Sequence, residues 1–171
     1  NNNASQSNLN AGTTTGSSGP NNVGDFNAAA GTNTFDASFL DVTFIPDGNV
    51  MTMQFVFASE EYPEFTNSQF QDFVGVWVNG QFVDLAVGDG DVDPGNLNNG
   101  VNGNLFQDNT SDQLNTEMDG ITITLTLKMN VNAGVENDIR IGIADVADNN
   151  FDSTLLIAAN SVQTDLIAND D

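Results

Sequence analysis

The stretch MTMQFVFASEE, Met51 to Glu61, combines the pattern of a buried β-strand with an unusual ending. Side chains at alternate positions of a strand face the same side of a sheet. One side of this strand is therefore predicted to face a core and carries only large apolar residues: Met51, Met53, Phe55 and Phe57. The strand then runs into two adjacent glutamates, which are followed by Tyr62, Pro63 and Glu64.

The rest of the chain repeats this alternation in short segments. ITITLTLKM, residues 121–129, is the most regular, and its predicted inward side chains are Ile121, Ile123, Leu125, Leu127 and Met129. Further strand candidates, separated by Gly, Asn and Asp turns, are SFLDVTFI, DFVGVWV, QFVDLAV, DIRIGIA and STLLIAA. No segment of useful length shows sustained helical periodicity. The sequence predicts an all-β fold, an antiparallel, jelly-roll-like β-sandwich with long calcium-binding loops.

The chain length and local composition predict a single domain. The 171 residues are enough to bury one good core. Residues 1–22 are rich in Asn, Ser, Thr and Gly, and are predicted to be a linker or a loosely attached segment. Residues 23–171 are predicted to form the β-sandwich ligand-binding domain. Because the chain begins NNNASQ without methionine, we expect it to be part of a longer protein.

Charge restricts the possible partners. The chain has 24 acidic residues, two basic residues (Lys128 and Arg140) and no histidine, which gives a formal net charge of −22. Nucleic acids and anionic membrane surfaces are therefore excluded as partners, and no apolar run is long enough to insert into a membrane. Self-repulsion of this size favours a bound cation. A solvated acidic surface that binds nothing is the alternative.

The identity of the acidic residues favours Ca²⁺ as the cofactor. Nineteen are Asp and five are Glu; short side chains in Gly-containing turns suit a cation that takes about six to eight oxygen ligands. Without Cys or His, the chain lacks thiolate and imidazole metal ligands and cannot form a Ser-His-Asp or Cys-His catalytic group. An acidic, cysteine-free domain that needs millimolar calcium is expected at the outside of a bacterial cell.

The first acidic cluster follows the opening strand and contains Glu60, Glu61 and Glu64, with Asp72 further along the chain. Adjacent strand residues point to opposite faces, so Glu60 and Glu61 would not share an ion on a regular strand. Pro63 predicts a break in the strand, through a strained or cis peptide bond. Such a break would let both carboxylates reach one metal ion or two neighbouring ions; a solvated strand end is the alternative.

Two further clusters lie in predicted loops. DGDVDPG contains Asp89, Asp91 and Asp93 in EF-hand-like alternation, but Pro94 stands where an EF-hand needs glycine and Gly100 where it needs glutamate. A different calcium loop and a simple polar hairpin both remain open. IADVADNNFDS fits neither helix nor strand spacing and is predicted to be a folded-back calcium loop through its three acids: Asp145, Asp148 and Asp152.

These motifs occur in an order and spacing that resemble the choice-of-anchor L family of bacterial surface domains. The resemblance runs from about Thr13 to Val162 and rests on SEEYPE, DGITITL and IRIGIADVADNNFDSTLLIAANS. The chain departs from the family pattern before TTTG and at QFQDFVGVWV. Similar modules occur near the ends of giant RTX adhesins, beside other adhesin domains, and bind peptides in a calcium-dependent way.

The resemblance implies a calcium-dependent adhesion domain that captures the free C-termini of proteins on other cells, as in biofilms. The family's acidic positions match Glu60, Glu61, Asp72, Asp145, Asp148 and Asp152, and more weakly Asp36 and Asp119. The expected metal ligands are these eight residues together with Asp89, Asp91 and Asp93. The expected ligand-binding residues are Glu60, Glu61, Tyr62 and Asp72.

Other functions compete with peptide capture. A lectin-like module would hold sugar hydroxyls on calcium and stack a sugar on Trp77 or Tyr62, although the alternation in VGVWVNG favours a packing role for Trp77. A glycosidase is weaker, because its two carboxyl groups face each other across a cleft about 5 Å or more apart, whereas Glu60 and Glu61 are adjacent. We therefore expect no enzymatic activity. A calcium-rigidified spacer is the fourth possibility.

Overall fold

The computed structural model describes residues 7–8 and 10–165. These residues form ten strands and one short α-helix: α1 (Gly24–Ala30), β1 (Thr34–Phe44), β2 (Val50–Ser59), β3 (Phe73–Val78), β4 (Gln81–Phe82), β5 (Phe106–Asp108), β6 (Gly120–Thr122), β7 (Leu125–Asn130), β8 (Asn137–Val146), β9 (Ser153–Ile157) and β10 (Gln163–Asp165). The strands make two antiparallel sheets. The predicted all-β sandwich is confirmed.

The first sheet has four strands in the order β1-β8-β3-β4. Strand β8 lies between β1 and β3 and pairs with both over most of its length. The β1–β8 pairing shifts register between Phe35 and Ser38, where Asp36 has a positive φ of 45°. This irregularity lies near the start of β1, at the end of the sheet that holds Asp145. Asp145 pairs with Phe35 there.

The second sheet is built around β2. One edge of β2 pairs with β7 near its start and with β6 near its end, and the other edge pairs with β10 and then β9. Strand β5 extends the sheet beyond β6. Because both edges are occupied, the last residue of β2, Ser59, is enclosed between Gly120 and Ser153.

The main core lies between the two sheets. The predicted inward face of β2 is confirmed: Met51, Met53, Phe55 and Phe57 are all buried. They pack with apolar side chains of β3, β7 and β8, among them Val76, Leu127 and Ile141. Alternate burial along β2 and β7 follows from the two-residue period of a strand.

The predicted continuous strand over residues 121–129 is wrong at its start. It divides into β6 and β7, and Ile123, predicted to face the core, is 39% exposed. Thr122, predicted to face outward, is buried, and its Oγ1 accepts a hydrogen bond of 3.0 Å from the Phe57 N–H. The Ile123 N–H instead donates to the Leu105 carbonyl outside the strand ladder, so the alternation is interrupted here.

A second, smaller core covers the outer face of the four-stranded sheet. Phe26 of α1 packs on Trp77 and Phe73, and Trp77 is only 6% exposed. The packing interpretation of Trp77 is confirmed, and α1 is an element that the sequence did not predict. In the segment predicted as QFVDLAV, only Gln81–Phe82 is a strand. Within the described residues, no helix combines the length and apolar character needed to traverse a lipid bilayer.

Candidate functional site

Several acidic residues come together at one end of the sandwich. Four segments meet there: the end of β2, the end of β8, the residue before β3 and the start of β9. The pairing of Ser59 with Ser153 joins β2 to β9, and the pairing of Phe73 with Ala144 joins β3 to β8. The structure brings to this end residues from four separate parts of the sequence: Asp36, Glu60, Glu61, Asp72, Asp119, Asp145, Asp148 and Asp152.

Glu61 and Asp72 form a buried pair, 2% and 1% exposed. The Asp72 backbone N–H donates to Glu61 Oε2 at 2.7 Å. The Asp72 carboxylate accepts from the Val146 N–H at 3.2 Å and from Ser153 Oγ at 2.8 Å. Ser153 Oγ in turn accepts from the Ser59 hydroxyl at 2.9 Å, and Ser59 Oγ accepts from the Glu61 N–H. One serine and two backbone amides thus fix the two carboxylates directly, and Ser59 positions that serine.

Burial and mutual repulsion strongly favour the neutral forms of this group. Burial raises the pKa of Glu61 to about 8, and the nearby Asp145 and Asp148 contribute. The pKa of Asp72 is raised well above its ordinary value, first by burial and then by the charges of Glu61 and Asp145. Burial, with Asp36, Asp152 and Asp148, raises the pKa of Asp145 to about 7. A cation here would replace protons.

Glu60 has a different set of neighbours. It is 1% exposed, and neither of its carboxylate oxygens has a hydrogen-bond partner among the described residues. Burial raises its pKa to about 8, and Asp119, Glu117 and Asp152 raise it further; the backbone N–H of Thr13 lies close enough to lower this pKa in part but does not meet hydrogen-bond geometry. A buried carboxylate without a well-formed hydrogen bond is costly to ionise, so Glu60 is the least satisfied acid described at this end.

Asp119 and Glu117 complete the surroundings of Glu60 and are 1% and 8% exposed. Asp119 Oδ2 has no partner among the described residues, while Asp119 Oδ1 accepts from Asn8 Nδ2 at 2.7 Å. Glu117 Oε1 accepts from Thr13 Oγ1 at 2.7 Å. The segment predicted as linker, as far as it is described, therefore lies against this acidic group.

In the loop that holds Asp89, Asp91 and Asp93, only Asp93 lies near the acidic site. Asp89 and Asp91 are exposed. Burial raises the pKa of Asp93 to about 6, and its charge contributes to the raised pKa of Glu61. Asn96 holds the loop together, since its Nδ2 donates to the carbonyls of Val87 and Asp91.

Tyr62 lies behind the acids and forms part of the wall of a pocket. The Tyr62–Pro63 peptide bond is cis, which was one of the predicted forms of this strand break. The ring is 1% exposed, and its hydroxyl donates to the Leu97 carbonyl at 2.7 Å. A Cβ on Gly120 would lie 2.4 Å from this ring, so only glycine allows the contact.

The pocket has a volume of about 170 Å³ and includes Asp119. It is lined by Tyr62, Pro63, Thr66, Asn98, Asn99, Gly100, Phe106, Asp108, Thr110 and Asp119. Its polar groups are carboxylates, amides and hydroxyls, and no basic side chain lines it. It can therefore hold a hydroxyl-rich or cationic molecule, or an anion that a metal ion neutralises.

The charge at this end is not compensated by the chain's own basic residues. Arg140 binds Asp25 and Asp41 on the outer face of the first sheet, at 2.6 and 2.7 Å. Lys128 is exposed on β7, opposite Thr52. Within the part of the chain that is described, no three acidic side chains are already arranged to hold a metal ion. The donor set, however, is entirely oxygen, and its unpaired buried carboxylate oxygens suit Ca²⁺.

Three contributors were not found from the sequence. Glu117 stands two residues before Asp119 in TEMDG, and this spacing was the available signal. Ser59 and Ser153 gave no signal, because their role depends on the pairing of β2 with β9. The metal and ligand assignments for the acidic residues and Tyr62 remain predictions.

Fold and site together define a β-sandwich domain with a concentrated acidic end. The chain belongs to the choice-of-anchor L domain family, whose model matches residues 1–163. Among solved structures, it is similar to a family 35 carbohydrate binding module from an environmental isolate, with 14% identity and a TM-score of 0.36 over 96% of each chain. That likeness is too weak to carry an argument about function. No curated protein matches the chain.

Proposed function

We propose that this domain is a calcium-dependent ligand-binding domain of a large secreted bacterial RTX-type adhesin. It would act at the cell surface, beside flanking adhesin domains, in cell adhesion and biofilm formation. The observation that carries the proposal is Glu60, a fully buried carboxylate without a hydrogen-bond partner among the described residues. We assign the domain no catalytic role.

Calcium would supply the missing positive charge, and it would contact the carboxylate oxygens that have no hydrogen-bond partner among the described residues. The Glu61 group offers the carboxylates of Glu61, Asp72, Asp145 and Asp148, which repel one another when ionised. The Glu60 group offers Glu60, Glu117 and Asp119. Because too few carboxylates of the described residues converge to complete a coordination shell, backbone carbonyls, hydroxyls or water would provide the remaining oxygens, as is common for Ca²⁺.

The proposed ligand is the free C-terminus of a peptide or protein on another cell. A carboxylate approaching a chain of net charge −22 is repelled, unless it binds a metal ion directly. An open coordination position on calcium beside the pocket at Asp119 would provide that contact. We expect modest affinity, because a short extended peptide loses conformational freedom on binding.

Carbohydrate binding is the second candidate, and the composition of the pocket favours it. Asp108, Asp119, Asn98 and Asn99 present hydrogen-bonding groups next to the rings of Tyr62 and Phe106. Sugar hydroxyls bind to such carboxylates and amides without an opposing positive charge. Neither ring expected to stack on a sugar offers an open face, because Trp77 is buried under α1 and Tyr62 is buried against Phe106; a sugar would therefore bind mainly through hydrogen bonds.

Titration calorimetry with matched peptides distinguishes the two candidates. A peptide that binds in calcium is compared as its C-terminal acid and its C-terminal amide, each in calcium and in chelator. Metal-anchored capture requires that the acid bind in calcium only and that the amide lose most of the affinity. A glycan array, probed in calcium and in chelator, runs in parallel.

Each outcome has a defined meaning. If the amide binds as tightly as the acid, or the acid binds unchanged in chelator, C-terminal capture is wrong. Calcium-dependent signals on the glycan array would then support the carbohydrate candidate. If calcium does not bind to the domain at all, the proposed function is wrong for both ligands.

A further inference from the structure

Glu60 and Glu61 are adjacent in sequence but have separate surroundings. The Glu60 N–H donates to the Asp152 carbonyl at 2.9 Å, and the charges that act most on its carboxyl group are Asp119 and Glu117. Glu61 accepts from the Asp72 N–H, and its main charged neighbours are Asp145 and Asp148. The two glutamates therefore have different main acidic neighbours, although Asp152 acts both on Glu60 and on Asp145.

The Glu60 group is covered by a segment that we call the N-terminal strap, Asn8 with residues 10–15. Thr13 Oγ1 donates to Glu117 and Asn8 Nδ2 donates to Asp119, each at 2.7 Å. The Thr15 N–H donates to Asp152 Oδ1 at 2.8 Å, and the Asp152 N–H donates to the Thr13 carbonyl at 3.0 Å. Three of these four bonds link the strap to carboxylates around Glu60.

Three carboxylate oxygens of this group indicate that it binds a ligand. Both carboxylate oxygens of Glu60 and Oδ2 of Asp119 are buried and have no partner among the described residues, and both side chains are 1% exposed. The side-chain hydrogen bonds of the strap go to Glu117 and to the other oxygen of Asp119, and the Thr13 N–H lies near Glu60 without meeting hydrogen-bond geometry. Buried carboxylate oxygens without donors require a proton or a cation, and an all-oxygen set selects a hard cation such as Ca²⁺.

We infer that Glu60, with Glu117 and Asp119, forms a calcium site of its own that does not depend on Glu61, and that the N-terminal strap closes this site. The inference rests on the proposed calcium dependence and adds its regulation. Without a cation, the carboxylates that anchor the strap repel one another and weaken its attachment. Calcium at Glu60 removes that repulsion, so calcium binding and strap ordering stabilise each other.

Hydrogen exchange with mass spectrometry on the 171-residue chain tests this coupling. The chain is compared in chelator and in calcium as wild type, Glu60→Gln and Glu61→Gln, and calorimetry counts the calcium ions bound by each. The two variants are isosteric and adjacent, so each is a matched control for the other. We expect calcium to slow exchange in residues 10–15 of the wild type about tenfold or more.

Glu60→Gln should lose one calcium and the calcium-dependent protection of the strap. Glu61→Gln should also lose calcium binding but keep that protection. Thr13→Val removes the hydrogen bond to Glu117 but leaves every carboxylate in place. It should weaken the protection of the strap from hydrogen exchange while calcium still binds. Equal effects of the two glutamate variants on the strap, or strap exchange that ignores calcium, would overturn the inference while leaving calcium-dependent ligand binding intact. Absence of any calcium binding would overturn both.

Discussion

Replacement of Glu60 by glutamine should change stability in opposite directions with and without calcium. Glutamine preserves the size of the side chain and removes its charge. In chelator, the wild-type carboxyl group is buried beside Asp119 and Glu117 without a hydrogen-bond partner among the described residues. The variant should therefore be more stable than the wild type. In calcium, the same change removes a metal ligand, so the variant should be less stable.

The size of the effect follows from the pKa of Glu60. A carboxyl group with an ordinary pKa of 4.5 that rises to about 8 on folding destabilises the folded state by roughly 4 kcal/mol at about pH 7.5. The buried amide needs hydrogen-bond partners of its own, which reduces the net gain to about 1–3 kcal/mol. For a domain of this size, each kcal/mol shifts the melting temperature by about 2–4 °C.

The assay is thermal unfolding at fixed ionic strength, in chelator and in millimolar calcium. Glu136→Gln is the matched control: the same substitution at an exposed position next to Asn137, the first residue of β8, far from the acidic end. It should change the melting temperature little in either condition. Sodium chloride at the ionic strength of the calcium buffer separates binding from screening.

Two results would refute the reasoning. If Glu60→Gln lowers stability in chelator as much as in calcium, its carboxylate makes a stabilising contact in the metal-free protein. If sodium chloride raises the wild-type melting temperature as much as calcium does, the acids are screened and no calcium site exists.

Three further predictions concern pH, the serine that supports Asp72, and the distant core. Glu60 and Glu61 have pKa values of about 8 in the folded protein, above the ordinary 4.5, so the metal-free fold binds more protons than the unfolded chain. The stability of the metal-free protein should therefore fall from pH 5 to pH 8, while its calcium affinity rises. Melting curves at both pH values measure the stability, and calorimetry measures the affinity. Ser153→Ala removes the bonds to Asp72 and Ser59 and should destabilise the domain by about 1–2 kcal/mol in urea unfolding, whereas no loss would mean that water replaces the hydroxyl. Phe26→Ala should destabilise by about 3–5 kcal/mol through loss of core packing with calcium affinity unchanged in calorimetry, and a parallel loss of affinity would contradict the separation of the two regions.

Local patterns in the sequence were sufficient to predict the fold class and most of the acidic residues that come together at one end of the sandwich. Alternation in Met51–Phe57 identified the inner face of β2, because a strand repeats every two residues whatever its partners are. The excess of acids over bases, together with SEEYPE and the loop of Asp145, identified the residues that converge. Alternation failed at Ile123, where the chain leaves the ladder after β6, because a break in pairing is decided by neighbouring strands.

Only the tertiary structure decided how the acids are grouped. Glu60 and Glu61 are adjacent in the chain, yet Glu60 lies with Glu117 and Asp119 while Glu61 lies with Asp72 and Asp145. The contribution of Asn8 and residues 10–15 was equally hidden, since Thr13 and Asn8 contact acids about 100 positions away in the chain. Composition fixes how much charge a chain carries. The low dielectric around Glu60, and its lack of a well-formed hydrogen bond among the described residues, arise only when distant segments exclude water together.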